Sequence, residues 1–373
     1  MGIRRHLLLC ALVVVVAACS AAAEPAGDRW ARIPHDEDVF GGAGDQQIRS
    51  LTVGRRGLVA VGYDTSGGHM RGAVWVSPVG YRWTRIDDPA AFGPPASGVI
   101  YSVTAGGPGL VAVGWHSVGG DREAAVWVSP DGYQWTRIDD PAAFGGPGSQ
   151  EMLTVASGGP GLVAAGYRSS AGNLDAVVWV SPDGYQWTRI DGQEAFGGPT
   201  SDVIYSVTAG GPGLVAVGHT YSSTASDGAA WVSADGHDWT RIDSPEAFGG
   251  SDPDEIRTVT AGGPGLIAGG SALWVSVDGH DWTRLGEEAT FAAGSRYVYS
   301  VTAGGPGLVA VGDGVWVSAD GYGWTRVDDR STLDEPDEFM CSVAPWRSGL
   351  VAAGLDKEAG DSDGAVWVSP PPG

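Results

Sequence analysis

The chain has 373 residues and a formal net charge of -22, because 44 aspartates and glutamates outnumber 22 lysines and arginines. A surface this acidic repels phosphate backbones, so nucleic acid is excluded as a partner, whereas metal cations, basic proteins and neutral glycans stay open. The 61 glycines and 16 tryptophans are typical of an all-β chain with many tight turns and argue against disorder.

The N-terminal segment predicts export. Arg4 and Arg5 give it a positive start, and residues 7–18 form an apolar run that is too short to span a bilayer comfortably. Residues 16–19, Val-Ala-Ala-Cys, resemble the lipobox of bacterial lipoproteins. That resemblance implies cleavage before Cys19 and lipidation of its thiol.

We therefore predict a signal peptide at 1–18 and a lipidated Cys19 with a short tether at 19–27. The lipid would hold the remaining domain, 28–373, on the outer side of the bacterial cell membrane. An ordinary secretory leader that ends near Ala23 is the alternative. The exported domain keeps one thiol, Cys341, so its fold must be stabilised by packing and not by an internal disulfide.

Two short elements recur seven times along the domain. Gly-Leu-Val/Ile-Ala begins at 57, 109, 161, 213, 265, 307 and 349, and Trp-Val-Ser begins at 75, 127, 179, 231, 274, 316 and 367. A third element, Trp-Thr-Arg, follows only six times, at 83, 135, 187, 239, 282 and 324. Repeats of this size are supersecondary units that stack on their neighbours.

The piece that the seventh repeat lacks stands at the start of the domain. Trp30-Ala31-Arg32-Ile33 matches Trp-Thr-Arg-Ile at three of four positions. The sequence therefore predicts an all-β, seven-bladed β-propeller of four-stranded antiparallel blades, closed by an N-terminal strand that completes the last blade.

Each repeat carries four strand signals. In the second repeat they are strand a at Ile100–Ala105, strand b at Leu110–Gly114, strand c at Ala125–Ser129 and strand d at Gln134–Ile138. Gly-Gly-Pro-Gly lies between strands a and b, and Ser-Pro-Asp-Gly lies between strands c and d. Both sequences are typical of tight turns. A looser insert separates b from c.

The c–d hairpin, Ser129-Pro130-Asp131-Gly132-Tyr133-Gln134-Trp135, resembles the Asp-box (BNR-type) repeat of sialidase-like propellers. The resemblance implies that its aspartates form turns away from any active site; they are Asp131, Asp183, Asp235, Asp278 and Asp320. Val79 replaces the aspartate in the first repeat. Arg32-Ile33-Pro34 is similar to the Arg-Ile-Pro motif of sialidases, but Arg32 also aligns with the arginine of every Trp-Thr-Arg element.

The candidate site lies on the face formed by the b–c and d–a connections, because these connections diverge while the a–b and c–d turns repeat. Two positions vary there. The residue after strand b is Tyr63, Trp115, Tyr167 or His219 in the first four repeats, and the position near the start of strand a includes Arg49, Tyr101, Tyr205, Arg257 and Tyr299. Aromatic and arginine side chains around an axial channel suit a glycan, a peptide or a small anion. The alternative is that the tyrosines pack between blades.

The d–a segments contain Phe92, Phe144, Phe196, Phe248 and Phe291, which we expect to cover the blades. No cofactor motif is present, and no metal site is predicted. The weak candidates for a metal site are the acidic residues of the last b–c connection, Asp356, Glu358, Asp361 and Asp363, where a solvated loop is the simpler interpretation.

The sequence thus favours a monomeric, non-catalytic propeller that binds a protein or glycan at the cell surface. A sialidase-like glycoside hydrolase and a structural surface module are the alternatives.

Overall fold

A computed structural model describes residues 29–92, 97–170, 172–198, 200–221, 226–249, 254–286, 297–305, 307–327, 338–357 and 361–369. The predicted leader, Cys19 and the tether lie outside these ranges, as do Phe291 and Glu358. Within the described residues, 28 strands form seven four-stranded antiparallel sheets, which we call blades 1 to 7. Among the same residues, no helix is both long enough and apolar enough to cross a membrane.

The chain enters through β1 (Ala31–Arg32), which belongs to blade 7. The strands of the first three blades follow in the order a, b, c, d. Blade 1 contains β2 (Gln46–Gly54), β3 (Gly57–Asp64), β4 (Arg71–Ser77) and β5 (Thr84–Ile86); blade 2 contains β6 (Gly98–Gly106), β7 (Gly109–Val118), β8 (Asp121–Ser129) and β9 (Thr136–Ile138); blade 3 contains β10 (Gln150–Gly158), β11 (Gly161–Ser170), β12 (Asn173–Ser181) and β13 (Thr188–Ile190).

The other four blades repeat this order. Blade 4 contains β14 (Ser201–Gly210), β15 (Gly213–Tyr221), β16 (Ser226–Ser233) and β17 (Thr240–Ile242); blade 5 contains β18 (Ile256–Gly262), β19 (Gly265–Gly270), β20 (Leu273–Ser276) and β21 (Trp282–Arg284); blade 6 contains β22 (Val298–Gly304), β23 (Gly307–Gly312), β24 (Val315–Ser318) and β25 (Thr325–Arg326); blade 7 contains β26 (Glu338–Trp346), β27 (Gly349–Asp356), β28 (Asp363–Val368) and β1.

Blade 7 is completed by both ends of the domain. In the register of β1 and β28, Ala31 faces Val368 and Arg32 faces Trp367, and Ile33 N donates to Val366 O at 2.8 Å. Trp30 is 7% exposed and packs in the same core cluster as Trp367. The prediction of seven blades closed by the N-terminal strand is therefore confirmed.

Short helices between strands d and a cover the junctions between blades. They are α1 (Glu37–Phe40), α2 (Pro89–Phe92), α3 (Pro141–Phe144), a 3-10 turn (Glu194–Phe196) and α4 (Pro245–Phe248). In blade 2, the Phe92 ring lies 6.3 Å from the rings of both Trp127 and Trp135, and Trp127 Nε1 donates to Ala91 O at 3.0 Å. The tryptophans of the Trp-Val-Ser elements thus pack in the core, and five of them donate the indole N–H to a carbonyl of the preceding d–a segment. Trp367 Nε1 is buried and has no partner among the described residues.

The aspartates of the c–d turns bond to their own backbone. Asp183 accepts from Tyr185 N at 2.8 Å and from Gln186 N at 2.9 Å, while Ser181 Oγ accepts from Gly184 N at 2.8 Å. Gly184 has φ +82, a left-handed conformation that glycine adopts without strain. These contacts are the turn-forming role that the sequence predicts for these aspartates.

Three predicted boundaries of blade 2 were wrong: the end of strand b, the start of strand c and the start of strand d. The insert between strands b and c continues the hairpin, because His116 pairs with Glu123 and the chain reverses only at Gly119 and Gly120, both at positive φ. Strand d begins later than predicted, at Thr136, because Asp131 accepts a hydrogen bond from Tyr133 N and holds the preceding residues in the turn.

Candidate functional site

Every innermost strand carries a β-bulge at the same place. In β2 the register shifts between Ile48 and Ser50, and the matching shift occurs in the inner strands of the other six blades. A bulge leaves one residue unpaired and redirects its side chain. The residues at the bulges are Arg49, Tyr101, Leu153, Tyr205, Arg257, Tyr299 and Cys341, which is the variable position identified near the start of strand a.

All seven bulge residues line a single cavity of about 780 Å³ on the propeller axis. The wall also includes Tyr167 and His219 from the ends of b strands and Leu174 from the start of a c strand. The cavity therefore lies at the end of the axis where the b–c and d–a connections lie. Its volume falls in the range of ordinary small-molecule sites.

Seven of the nine predicted binding residues line this cavity: Arg49, Tyr101, Tyr167, Tyr205, His219, Arg257 and Tyr299. The structure does not bring the other two to its wall. Tyr63 and Trp115, 7% and 5% exposed, pack with Val99 and Tyr101 between blades 1 and 2. They match the alternative interpretation, in which aromatic side chains pack between blades.

Sequence reasoning missed several wall residues. Gln47, Glu151 and Phe339 stand two positions before the bulge residues, and Arg122 and Lys357 lie near the b–c connections of blades 2 and 7. A signal existed for the first three, since side chains two apart on a strand share a face. Arg122, at the start of β8, and Lys357, just after β27, had no such signal in the sequence.

A buried glutamate organises one side of the cavity. Glu151, 2% exposed, accepts a hydrogen bond from Arg122 Nη1 at 2.5 Å and from the Tyr101 hydroxyl at 3.2 Å. Trp115 Nε1 donates to the Tyr101 hydroxyl at 3.3 Å, and the Arg122 guanidinium lies 4.4 Å from the Trp115 ring centroid. These four side chains form one polar network beside the cavity, which Tyr167 joins through a hydrogen bond to Glu151.

The network keeps its phenols protonated. Burial, followed by the negative charge of Glu151, raises the pKa of Tyr101 to about 12. Burial and a hydrogen bond to Glu151 also raise the pKa of Tyr167. At neutral pH both hydroxyls are therefore protonated, and that of Tyr101 donates to the Glu151 carboxylate.

The adjacent side of the cavity, formed by blades 4 and 5, combines aromatic rings with a second ion pair. The rings of Tyr205 and His219 lie 5.2 Å apart, and the Arg257 guanidinium lies 4.1 Å from the Tyr205 centroid while it pairs with Glu255. Burial lowers the pKa of His219, so its ring is neutral at pH 7. His219 Nδ1 and Arg257 Nε are buried and have no hydrogen-bond partner among the described residues.

A ring of hydroxyl side chains follows the bulges, one from each blade. It consists of Ser50, Ser102, Thr154, Ser206, Thr258, Ser300 and Ser342, all of which line the cavity. At six junctions the hydroxyl oxygen accepts from a backbone N–H of the next blade, as when Val103 N donates to Ser50 Oγ at 3.2 Å and Leu51 N donates to Ser342 Oγ at 3.1 Å. We call this set the hydroxyl ring; it links neighbouring blades and forms the floor of the cavity.

The acidic residues of the last b–c connection are not gathered into one cluster. Asp356 is 5% exposed and pairs with Arg32, which also contacts Glu338 at 3.1 Å. Asp363 instead lies near His35 and Glu37, with possible ligand atoms of all three within 4.8 Å of one another. Asp361 is exposed, and Glu358 lies outside the described residues.

No protein-family model and no curated protein matches the chain. Solved structures do match: Trypanosoma rangeli sialidase and Chaetomium thermophilum Sqt1 each give a TM-score of 0.50, at 13% and 12% identity, over 91% and 89% of this chain. The chain spans 59% of the sialidase and 97% of Sqt1. A protein of unknown function from Dyadobacter fermentans DSM 18053 matches with a TM-score of 0.49, at 12% identity, over 91% of this chain and 97% of its own.

At these identities the likeness is one of fold alone. The fold and the site together define a closed seven-bladed β-propeller with an axial cavity on the face of its b–c and d–a connections.

Proposed function

We propose that this protein is a non-catalytic binding propeller whose axial cavity receives a glycan, a peptide or a segment of another protein. One observation carries the proposal. A bulge at the same position of all seven inner strands delivers the variable residue to the cavity, while the residues around it repeat from blade to blade. Variable side chains on a constant scaffold are typical of a recognition surface.

The same proposal places the protein on the outer side of the bacterial cell membrane. Its support comes from the sequence: the positive start, the apolar run and the small residues before Cys19. A lipid on Cys19 would keep the cavity close to the cell surface. Replacing Cys19 with alanine should release the protein from the membrane fraction, and retention of the variant there would contradict the anchor.

Binding in the cavity is tested with paired tyrosine variants. Calorimetric titration of the full chain with a panel of oligosaccharides and peptides should yield a saturable ligand that Tyr205→Ala weakens. The matched control is Tyr185→Ala, which removes a ring that is 51% exposed in the c–d turn of blade 3, on the opposite face. A ligand with equal affinity for both variants, or no ligand at all, would favour the structural-module alternative.

A sialidase-like hydrolase is the second candidate, and one feature favours it. Tyr101 and Tyr167 flank the carboxylate of Glu151 in the cavity wall, next to Arg122. Two features weigh against it. Glu151 is the only carboxylate among the described residues that line the cavity, and Arg32 lies on the outermost strand of blade 7, in ion pairs with Asp356 and Glu338.

A panel of fluorogenic glycosides separates the two candidates. We expect no turnover by the full chain, because glycoside hydrolysis ordinarily uses two acidic or nucleophilic groups across the bond that breaks. Turnover that disappears in Glu151→Gln but persists in Asp243→Asn, a change at a carboxylate that is 91% exposed, would establish the hydrolase instead.

A further inference from the structure

The hydroxyls at the floor of the cavity donate to no acceptor among the described residues. A serine or threonine hydroxyl has one donor hydrogen and two acceptor lone pairs. Six members of the hydroxyl ring already accept from a backbone N–H, and no described protein atom accepts from any of the seven. Each hydroxyl that accepts one N–H therefore keeps an O–H donor, with one acceptor lone pair beside it, for a molecule that fills the cavity.

Two cations stand in the wall without an anionic partner among the residues that the structure describes. No described carboxylate lies within 4.0 Å of Arg49, whose guanidinium lies 5.5 Å from the Tyr63 centroid, or of Lys357, whose ammonium lies 5.2 Å from the Phe339 centroid. The other two wall cations are neutralised, because Arg122 pairs with Glu151 and Arg257 with Glu255. The cavity thus carries surplus positive charge inside a chain of net charge -22.

We propose that the ligand is a small molecule with an oxyanion, in which carboxylate, phosphate or sulfate oxygens accept hydrogen bonds from the hydroxyl ring beside Arg49 and Lys357. An oxyanion offers several acceptor lone pairs and no donor, which complements this floor. The uncharged part of the ligand lies against Tyr205 and Tyr299. This inference rests on the proposed binding function and names its ligand class.

The acidity of the whole chain is compatible with such a ligand. At physiological ionic strength the field of the distant carboxylates is screened over about 8 Å, so the groups within the cavity decide binding at close range. A polyanion would extend beyond the cavity over the rest of an acidic chain, whereas a small oxyanion meets only the groups of the cavity wall. The arrangement therefore selects small anions over nucleic acids.

The test compares oxyanions with a neutral molecule of similar size. The full chain is titrated calorimetrically with inorganic phosphate, sulfate, glucuronate and glucose. We expect at least one oxyanion to bind saturably and glucose not to bind; the tightest of the three identifies the oxyanion. Arg49→Gln and Lys357→Gln should each weaken that binding at least about tenfold, as the loss of a charge-assisted hydrogen bond predicts.

Two controls accompany these variants. Arg55→Gln changes the net charge equally in the exposed a–b turn of blade 1, on the opposite face, and should leave the affinity unchanged. Arg49→Lys keeps the positive charge and should retain most of the affinity for the oxyanion. Retained binding in this variant shows that the loss in Arg49→Gln comes from the missing charge and not from misfolding.

Three outcomes would overturn the proposal: equal affinity for glucose and glucuronate, equal loss in Arg55→Gln and Arg49→Gln, or no saturable oxyanion. A neutral ligand that Tyr205→Ala abolishes would remove the oxyanion inference and leave the binding function intact. If no molecule of any charge binds in a way that depends on Tyr205, the binding function fails as well.

Discussion

Glu151 shows how a single residue sets the polarity of the cavity wall. Its carboxylate is almost fully buried, and Arg122 and the hydroxyl of Tyr101 donate hydrogen bonds to its oxygens. Together with burial, its negative charge raises the pKa of the phenols of Tyr101 and Tyr167. The wall therefore holds one anion at a fixed position and keeps protonated hydroxyls around it.

The raised pKa of Tyr101 predicts a loss of stability at alkaline pH. The unfolded phenol releases its proton near its ordinary value of 10.0, whereas burial and Glu151 hold the folded pKa at about 12. The contribution of Tyr101 is thus complete below pH 10 and is lost as pH rises towards 12. Chemical denaturation across this interval should show a smaller decline for Tyr101→Phe, and an equal decline in both proteins would contradict the assignment.

The cavity residues were only partly predictable one by one. Tyr63 and Trp115 vary between repeats like the wall residues, but local spacing does not determine whether a ring points to the axis or to the next blade. Packing determined the direction of these two rings, since both fill the space between blades 1 and 2. Arg122 and Lys357 were missed because their connections have no repeat partner from which a position follows.

At the scale of elements, the inner strand performs two tasks with consecutive residues. The bulge residue points to the ligand space, and the hydroxyl residue that follows it bonds to the next blade. Binding and assembly are therefore separated by one residue on the same strand. A change at the bulge leaves the link between blades in place.

The hydroxyl ring makes a direct prediction for stability. Ser102→Ala removes the acceptor of Val155 N, now 3.2 Å away, and leaves a backbone donor without its partner. We expect the free energy of unfolding to fall by about 1–3 kcal/mol. Ser102→Thr is the matched control, because threonine occupies the same place at 154 and 258. Equal denaturation midpoints for the alanine and threonine variants would contradict the role.

The strand order of each blade followed from short-range signals, but the bulges did not. Gly and Pro mark the tight turns, and the Trp elements mark strands c and d, so four strands per repeat were evident from the sequence. A bulge depends on how two strands pair, and the residues around Ser50 do not reveal that pairing. The only sign of the bulges in the sequence was a constant Ser or Thr that follows a variable residue.

For the whole molecule, closure depends on a two-residue strand. β1 is short, and Trp30 supplies much of its buried contact with blade 7. The number of blades and this closure were predictable, because counting the repeats exposed a missing Trp-Thr-Arg element at one end and its equivalent at the other.

Loss of Trp30 should weaken closure more than loss of an equivalent tryptophan elsewhere. Trp30→Ala is expected to lower the free energy of unfolding by about 3–5 kcal/mol and to increase self-association, because it loosens β1 from β28 and exposes a sheet edge. Trp135→Ala is the control, at the same position of blade 2, similarly buried and packed between blades 1 and 2. Light scattering that shows equal self-association for both variants would argue against this view of closure.

The seven bulges also bear on how such a protein diversifies. Each contributes one side chain to a common volume from an equivalent backbone position, so a point substitution alters the chemistry of that volume while the turns and the hydroxyl ring stay as they are. Preference for a new molecule is then reached in single steps, except at positions such as Tyr101, where the substitution also removes hydrogen bonds to Trp115 and to Glu151 of the next blade. Libraries randomised at these seven positions alone would sample that range on an unaltered framework.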